Sequence, residues 1–201
     1  MRSRGFSLIE LMVVLAIMGV LLAAVSPSLI DWMVNMRIRN TSDALLNGLQ
    51  LARQEAIKRN QSVSFWLVTN TAGDLSSLDD SCDLSSSSGS WVVSVRSPVG
   101  NCTAAPSATV APMLVASHAV GDGATGVSVN ALASDSATAA TTVTFNGTGG
   151  VVNADRIARI DVEATSGASS HRSLRVEISG IGAVRMCDPA VVATDPRACK
   201  M

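Results

Sequence analysis

The sequence has no tyrosine, only two histidines, and few aromatic or charged residues of any kind. Aromatic side chains make up 3% and charged side chains 15% of the 201 residues, whereas hydrophobic residues reach 47%. A soluble globular domain ordinarily carries charge on about a quarter of its residues. The composition therefore argues against a cytosolic enzyme and favours a chain that is exported or anchored in a membrane.

Catalytic, metal-binding and nucleotide-binding motifs are also missing. His118 and His171 stand in surroundings rich in Ser, Ala and Gly, without a cysteine or acid at ligand spacing, which predicts solvated loop histidines. No Cys-x-x-Cys pair supports zinc, and segment 147–150 lacks the Lys-Ser/Thr of a P-loop, so a hairpin turn is expected there. Segment 79–83 lacks the regular alternation of calcium ligands and predicts a solvated acidic loop. We expect no enzyme activity, cofactor or metal.

Positive charge is scarce in the larger part of the chain. Residues 1–59 hold seven basic and four acidic residues, a net charge of +3, whereas residues 60–201 hold eight and twelve, a net charge of −4. A general nucleic-acid binder would carry a basic excess. The acidic balance therefore weighs against that class, although it leaves room for a local basic patch.

One long hydrophobic run follows a short basic leader. Residues 6–25 carry a single charge, Glu10, over twenty residues. Twenty helical residues span ~30 Å, the thickness of a bilayer core. A carboxylate in such a segment costs roughly 2.5–3.5 kcal/mol on insertion scales, so Glu10 is predicted to have a partner. Arg2 and Arg4 precede the run and predict a cytoplasmic N-terminus.

Three other interpretations of this run are possible. A secretory signal peptide could be cleaved near residues 23–26, but Glu10 interrupts its apolar region and the run is long. A plain single-pass anchor fits the length and leaves Glu10 unexplained. A buried helix of a soluble domain is the third.

Helical periodicity continues to residue 59. Residues 31–59 predict an amphipathic helix, so that one helix of ~80 Å covers residues 6–59. Pro27 removes one backbone hydrogen bond and predicts a kink or, in the simpler interpretation, only marks the membrane exit. The apolar stripe consists of Ile38, Leu45, Leu49, Ala52 and Ala56.

Short strands are predicted for the remainder, which is rich in small residues, Val and Thr. Segments 69–90 and 131–140 predict loops, and segments 157–164 and 174–179 predict a hairpin. The full set of predicted strands is 62–68, 91–95, 113–117, 126–129, 141–145, 151–152, 157–164, 174–179 and 183–187.

Four cysteines follow the apolar run, and an even number in an exported domain predicts two disulfides. Four cysteines allow three pairings, which the sequence leaves open. Pairing of sequence neighbours would tie a tail to the last strand and close a loop around Trp91. The candidates are Cys82, Cys102, Cys187 and Cys199.

The N-terminal segment Gly5-Phe6-Ser7-Leu8-Ile9-Glu10-Leu11 resembles the class III signal of type IV pilins and of the pseudopilins of type II secretion. The resemblance implies cleavage between Gly5 and Phe6 by a prepilin peptidase, followed by N-methylation of Phe6. It also implies that Glu10 neutralises the N-terminal amine of a neighbouring subunit. Pro27 stands where many pilins carry a helix proline, and the resemblance implies that this part of the helix loosens during assembly.

Later motifs narrow this resemblance to the GspH/FimT group of minor pilins, and most to those of the FimU type. They are the Leu51-Ala52-Arg53-x-Glu55-Ala56 segment, the Trp91 strand, the Thr144-Phe145-Asn146-x-x-Gly149 turn and the Gly182–Pro189 ending. The resemblance implies an α+β, pilin-like fold with a long N-terminal helix packed on a C-terminal antiparallel β-sheet head. The expected divisions are a leader peptide (1–5), a transmembrane helix (6–26), its amphipathic continuation (27–60) and a β-rich head (61–201).

The implied function is that of a minor pilin in type IV pilus initiation and assembly. Its partners would be other minor and major pilins, through the N-terminal helix, together with the prepilin peptidase and the inner membrane. The implied location is a single pass through the inner membrane with a periplasmic head, and later the pilus, at its tip. The alternatives are a minor pseudopilin of type II secretion and a DNA-binding minor pilin for natural transformation.

The DNA-binding alternative is disfavoured by one motif. Some family members carry a C-terminal Gly-Arg-x-Arg motif that contributes to DNA capture, and the matching positions here read Gly182-Ala183-Val184-Arg185. The first arginine is missing. Arg185 alone is expected to provide a weak phosphate contact at most.

Overall fold

A computed structural model describes residues 7–71, 77–121, 126–166 and 171–200, without the side chains of residues 23–28. One helix, α1 (Leu8–Arg59), opens the fold and is continuous at position 27, although the side chain of Pro27 lies outside the described set. The helix ends at Asn60, whose left-handed backbone (φ 48°) lets its N–H donate to the carbonyls of Ala56 and Ile57. The predicted helix is confirmed to within two residues over the described range.

Within the described ranges, nine β-strands follow α1 and form two sheets, and every pair of neighbouring strands is antiparallel. The strands are β1 (Val63–Asn70), β2 (Cys82–Leu84), β3 (Trp91–Ser94), β4 (Leu114–His118), β5 (Val127–Leu132), β6 (Thr142–Phe145), β7 (Arg159–Ala164), β8 (Leu174–Ile178) and β9 (Val184–Cys187).

Strand β1 organises the first sheet, whose order is β2-β1-β3-β4 with β6 also paired to β1. Val63 lies opposite Phe145 of β6, and Ser64 lies opposite Ser94 of β3. The second sheet has the order β5-β7-β8-β9, and its β7–β8 pair is the hairpin that the sequence predicts. The fold is therefore α+β, as expected.

Helix α1 packs against both sheets, and this packing buries its apolar stripe completely. Gly48 allows α1 to approach the first sheet closely: a Cβ at this position would come within 2.7 Å of the Trp91 ring and 2.8 Å of the Phe65 ring. The two rings stack at a tilt, with centroids 5.8 Å apart. The confirmed stripe residues, each no more than 1% exposed, are Ile38, Leu45, Leu49, Ala52 and Ala56.

Three strand predictions differ from the structure. β2 lies inside the predicted loop 69–90, because Cys82 is buried and pairs with Asn70 at the end of β1. β5 extends into the predicted loop 131–140, since Ala131 is a core residue whose small side chain fits against the helix and sheets. Segment 151–152 forms only an isolated bridge between Val151 and Phe145.

Candidate functional site

The first fifteen residues of α1 present an uncovered apolar surface. Every side chain from Leu8 to Leu22 is exposed, and the large hydrophobic ones range from 53% exposed at Val13 to 76% at Leu8. Contiguous exposed apolar surface of this extent marks a site of interaction with protein or membrane. Over the described residues, no helix combines the length and apolarity that crossing a membrane requires. The transmembrane segment 6–26 stays a prediction.

Glu10 has a partner within its own chain. It stands in the first turn of α1, where its carboxylate accepts hydrogen bonds from the Ser7 backbone N–H (3.1 Å) and the Ser7 hydroxyl (3.3 Å). The Ser7 Oγ in turn accepts from the Glu10 N–H at 3.3 Å, which completes a capping box. A negative charge here also complements the helix dipole. Gly5 and Phe6, the predicted cleavage and methylation positions, lie outside the described residues.

One disulfide, Cys82–Cys102, ties β2 to the loop after β3, with Cα atoms 6.2 Å apart. Both cysteines are buried in a small apolar cluster of their own with Val68 and its neighbours. Close by, Asp80 accepts hydrogen bonds from the Thr103 hydroxyl (2.6 Å) and backbone N–H (3.0 Å). These bonds, the hydroxyl first, lower the pKa of Asp80. The aspartates of the acidic segment 79–83 are exposed, as expected, and hydrogen bonds fix the conformation of the segment.

A second disulfide, Cys187–Cys199, fastens the C-terminal tail to β9, with Cα atoms 5.1 Å apart. Asp188, next along the chain, is buried and its N–H donates to the Arg197 carbonyl at 2.8 Å. The Asp188 carboxylate accepts from Arg172 Nε at 2.7 Å. The tail is therefore held by a covalent bond, a backbone bond and an ion pair.

Arg185, the candidate DNA contact, is engaged inside the fold. Its guanidinium donates to the carboxylate of Glu177, which lies directly opposite on β8 and is completely buried. The Lys200 N–H also reaches this carboxylate, at 3.4 Å. The sulfurs of Cys187 and Cys199 lie within 4.8 Å of it, but they are bonded to each other and offer no thiolate to a metal. A guanidinium that balances a buried carboxylate is a poor candidate for a phosphate contact.

The prediction that both histidines are solvated is wrong. His118 ends β4 and stacks on Trp91 with ring centroids 5.5 Å apart, and its burial lowers its pKa. The His171 side chain is only 9% exposed, with Nε2 3.2 Å from Asp31 Oδ1 on α1. Polar neighbours along the sequence do not reveal these contacts, because Trp91 and α1 supply them from distant segments.

Sequence reasoning missed the role of Arg53. Its Nε donates to the Gly149 carbonyl at 3.1 Å and so fixes the turn after β6 against α1. The same carbonyl lies against the turn between β8 and β9, where Gly182 adopts φ +80°. The signal was present, since Arg53 belongs to the segment that carries the family resemblance. The sequence does not show that the turn after β6 and the turn between β8 and β9 meet beside this arginine.

The structure thus defines a pilin-like class of protein: one long helix with an apolar, acid-capped N-terminal part, and a disulfide-bonded antiparallel head. The chain belongs to the family described as type II transport protein GspH, whose model matches residues 41–182. Residues 1–26 match the prokaryotic N-terminal methylation motif. These matches confirm the resemblance to the GspH/FimT group.

Among solved structures, the chain is similar to the type IV minor pilin FimU of Pseudomonas aeruginosa in two crystal forms. One is 15% identical, with a TM-score of 0.45 over 74% of this chain and 90% of that one. The other is 16% identical, with a TM-score of 0.43 over 74% and 87%. No curated protein matches the chain.

Proposed function

We propose that the protein is a minor pilin: a structural subunit, not an enzyme, that helps to initiate and assemble a type IV pilus. The observation that carries this proposal is the continuity of α1, whose exposed apolar part leads directly into the core of the head. A filament that packs such helices side by side covers their apolar surfaces and leaves the heads outside. Family membership and the methylation motif support the same function.

Apolar burial supplies the driving force for assembly, and Glu10 supplies the register. Covering apolar surface is worth about 25 cal/mol per Å², but this term does not depend on how far one helix slides past another. A carboxylate among apolar helices needs a charged or hydrogen-bonding partner at a fixed position. In the isolated chain, Ser7 is the hydrogen-bonding partner of the Glu10 carboxylate. In the filament, Glu10 would exchange Ser7 for the methylated Phe6 amine of a neighbour.

The proposed route begins at the inner membrane. A prepilin peptidase cleaves after Gly5, the N-terminus faces the cytoplasm, and the head folds in the periplasm, where disulfides persist. Two disulfides in the described head support this compartment. From there the subunit joins other minor and major pilins through α1 and takes a place at the pilus tip.

A minor pseudopilin of type II secretion is the second candidate, because the matching family carries a type II transport description. The same helix would serve either filament. Deletion of the gene separates the two: loss of surface pili with normal secretion supports the pilus, whereas loss of secretion with normal piliation supports the pseudopilus.

Replacement of Glu10 by valine is expected to leave the protein in the membrane but to reduce its incorporation into filaments by at least tenfold. Valine removes the desolvation cost of the carboxylate and, with it, the charge that sets the register. Immunoblots of sheared filaments and of membrane fractions measure both quantities. Incorporation equal to that of the native protein would contradict the mechanism.

Glu10→Gln is the matched control, because its amide oxygen can still accept from Ser7 while the charge is lost. If both Glu10→Val and Glu10→Gln are poorly incorporated into filaments, the lost charge is the cause. If only Glu10→Val is poorly incorporated, the lost helix cap is the cause. Intact mass spectrometry should show that all three proteins begin at methylated Phe6, so that a processing defect is not mistaken for an assembly defect.

Duplex DNA is expected to bind the detergent-solubilised protein weakly or not at all near physiological salt. Arg185 is paired with Glu177, and Ala183 stands exposed where DNA-binding relatives carry arginine. Ala183→Arg should raise the affinity and steepen the salt dependence by about one unit, since one more phosphate is neutralised. Gel-shift titrations at two salt concentrations test both effects. Low-micromolar binding by the native protein would favour the DNA-uptake alternative.

A further inference from the structure

The turn between β8 and β9 projects an isoleucine into solvent beside the last two turns of α1. Ile181, at the centre of this turn, is 79% exposed, more than any other large hydrophobic residue in the described ranges. Ile57 is 48% and Val152 is 54% exposed. Together with two arginines, these three side chains form the distal surface, at the end of the head where α1 ends. Its residues are Arg53, Ile57, Val152, Arg156 and Ile181.

Close contacts between separate segments bring the three apolar side chains onto one surface. The Gly149 carbonyl lies against Gly182 in the β8–β9 turn, and a Cβ on Gly149 would lie 2.9 Å from Ile57 Cδ1. On the other side of the turn, the Val151 N–H donates to the Gly180 carbonyl at 3.1 Å. The β8–β9 turn therefore touches both the end of α1 and the segment after β6, and the exposed apolar side chains of all three are neighbours.

Two arginines flank this turn without a carboxylate partner. Neither Arg53 nor Arg156 forms an ion pair with any described residue. Arg53 Nε donates to the Gly149 carbonyl, which leaves its two Nη groups. Arg156 lies beside Gly180, and its Nε is buried without a hydrogen-bond partner among the described residues. Buried polar groups are normally hydrogen-bonded, and a carboxylate binds a guanidinium through two parallel bonds. Both guanidiniums are therefore suited to the carboxylates of a partner.

Neighbouring carboxylates do not cancel this positive charge. Glu55 binds both Lys58 (3.0 Å) and Arg59 (2.7 Å), so this group keeps a charge of +1. Asp155 is exposed and forms no ion pair with a described residue. With the two arginines, these residues comprise four cations and two carboxylates, a net charge of +2. The distal surface is thus locally positive, whereas residues 60–201 as a whole carry −4.

The position and composition of the distal surface favour a protein partner. Arg53 lies about 46 Å farther along α1 than Leu22, well away from the apolar part of the helix. No aromatic side chain belongs to this surface to stack on a nucleic-acid base, and phosphates gain nothing from a protruding isoleucine. Arginines around an apolar anchor are typical of the well-packed centre of protein–protein contacts.

We propose that the distal surface docks the head of a different pilin subunit, at an apolar pocket rimmed by carboxylates. Ile181 enters the pocket, and Arg53 and Arg156 meet the carboxylates. The inference rests on the proposed function, since helices packed side by side and staggered along a filament place the next head beyond the end of α1. It adds a contact between heads to the packing of helices.

A second copy of this chain fits the distal surface poorly. A two-fold contact would set the arginines against one another, and a head-to-tail contact would repeat along the filament. Such repetition would make this chain the main subunit, whereas the proposed function makes it a minor one.

Photo-cross-linking from position 181 of the full chain in assembled filaments tests the proposal. The photoreactive residue p-benzoylphenylalanine replaces Ile181, sheared filaments are illuminated, and mass spectrometry identifies the cross-linked segment. This segment should belong to the head of another pilin and should combine apolar residues with Asp or Glu. The cross-link yield should be at least about fivefold above that of the same probe in place of Val192, which is 72% exposed in the C-terminal tail.

Reversal of one charge tests the role of the arginines. Arg156→Glu should lower the cross-link yield by about fivefold or more, because a carboxylate would then face the carboxylates of the partner. Arg156→Gln should lower it by a smaller factor, and circular dichroism checks that the head of each variant is folded. Arg96→Glu is the matched control, since Arg96 is exposed on the loop after β3 and forms no ion pair with a described residue. This control should leave the yield unchanged.

Several outcomes would overturn the proposal. A yield from position 181 no higher than from position 192 would do so, as would an equal fall with Arg96→Glu and with Arg156→Glu. A cross-link to DNA, to lipid or to a second copy of this chain would assign the surface to that partner instead. The proposed function is judged separately: it fails if the native chain is absent from sheared filaments. If the chain is present there and position 181 gives no cross-link, only the docking surface fails.

Discussion

Replacement of Gly182 by alanine is expected to lower the free energy of unfolding of the head by roughly 2–5 kcal/mol. A Cβ on this residue would lie 1.8 Å from the Gly149 carbonyl oxygen and 3.4 Å from Arg53 Nε. Gly182 also has φ +80°, which costs a residue with a side chain about 1–2 kcal/mol. Displacing a packed backbone adds about 1–3 kcal/mol. The turn after β6 and the β8–β9 turn would therefore separate.

Gly180→Ala provides the control for this experiment. Its Cβ would lie 3.7 Å from Arg156 Nη2, an ordinary contact with a flexible side chain, in the same turn. Chemical denaturation followed by circular dichroism, with both disulfides kept oxidised, compares the two variants with the native protein. Equal stabilities of the two variants would mean that the contact with Gly149 does not hold the turns together.

The helix is predictable from the sequence because its signals are local. An apolar run, a stripe at spacings of three, four and seven, and the end of that pattern at Asn60 define it almost completely. The helix begins at Leu8 and not at the predicted residue 6, because the apolar run starts before the Ser7–Glu10 capping box that sets the helix start. Strand β7, in which apolar and polar residues alternate, is predictable for the same reason.

Pairings between distant segments are not predictable in this way. β6 returns to β1 across some eighty residues, as in the hydrogen bond between the Ser64 and Thr144 hydroxyls (2.9 Å). Nothing near either segment encodes that partnership. The short strand β2 escapes prediction because it is set by the burial of Cys82 within a run of Ser and Asp.

The candidate site shows the same division. The sequence identifies Glu10 as a carboxylate that needs a partner, and the structure supplies one within four residues. The sequence also singles out Arg185, but only as a candidate DNA contact. Its pairing with the buried Glu177 follows from the pairing of β8 with β9, which the sequence does not show. This pairing makes Arg185→Gln an unsuitable DNA-binding test, since the change would also disturb the head.

Replacement of Arg185 by leucine is expected to destabilise the head by about 3 kcal/mol. The Glu177 carboxylate would remain buried without its guanidinium, and breaking a buried ion pair from one side costs about 3–5 kcal/mol. The lower end of this range applies because Arg185 is itself 36% exposed. Leucine keeps an apolar side chain of moderate size on β9, so loss of packing contributes little. Urea denaturation of the oxidised protein measures the change.

The double variant Glu177→Leu/Arg185→Leu distinguishes an ion-pair effect from a packing effect. Removal of both partners leaves no buried charge, and such replacements are often neutral or stabilising, so the double variant should recover most of the stability that the single variant loses. Arg39→Leu gives the exposed comparison: its Nε lies 3.6 Å from Asp43, and loss of this surface pair should cost less than about 1 kcal/mol. A double variant no more stable than Arg185→Leu alone would show that leucine at this position of β9 disrupts packing, and that the pair with Glu177 is not what stabilises the edge of the second sheet.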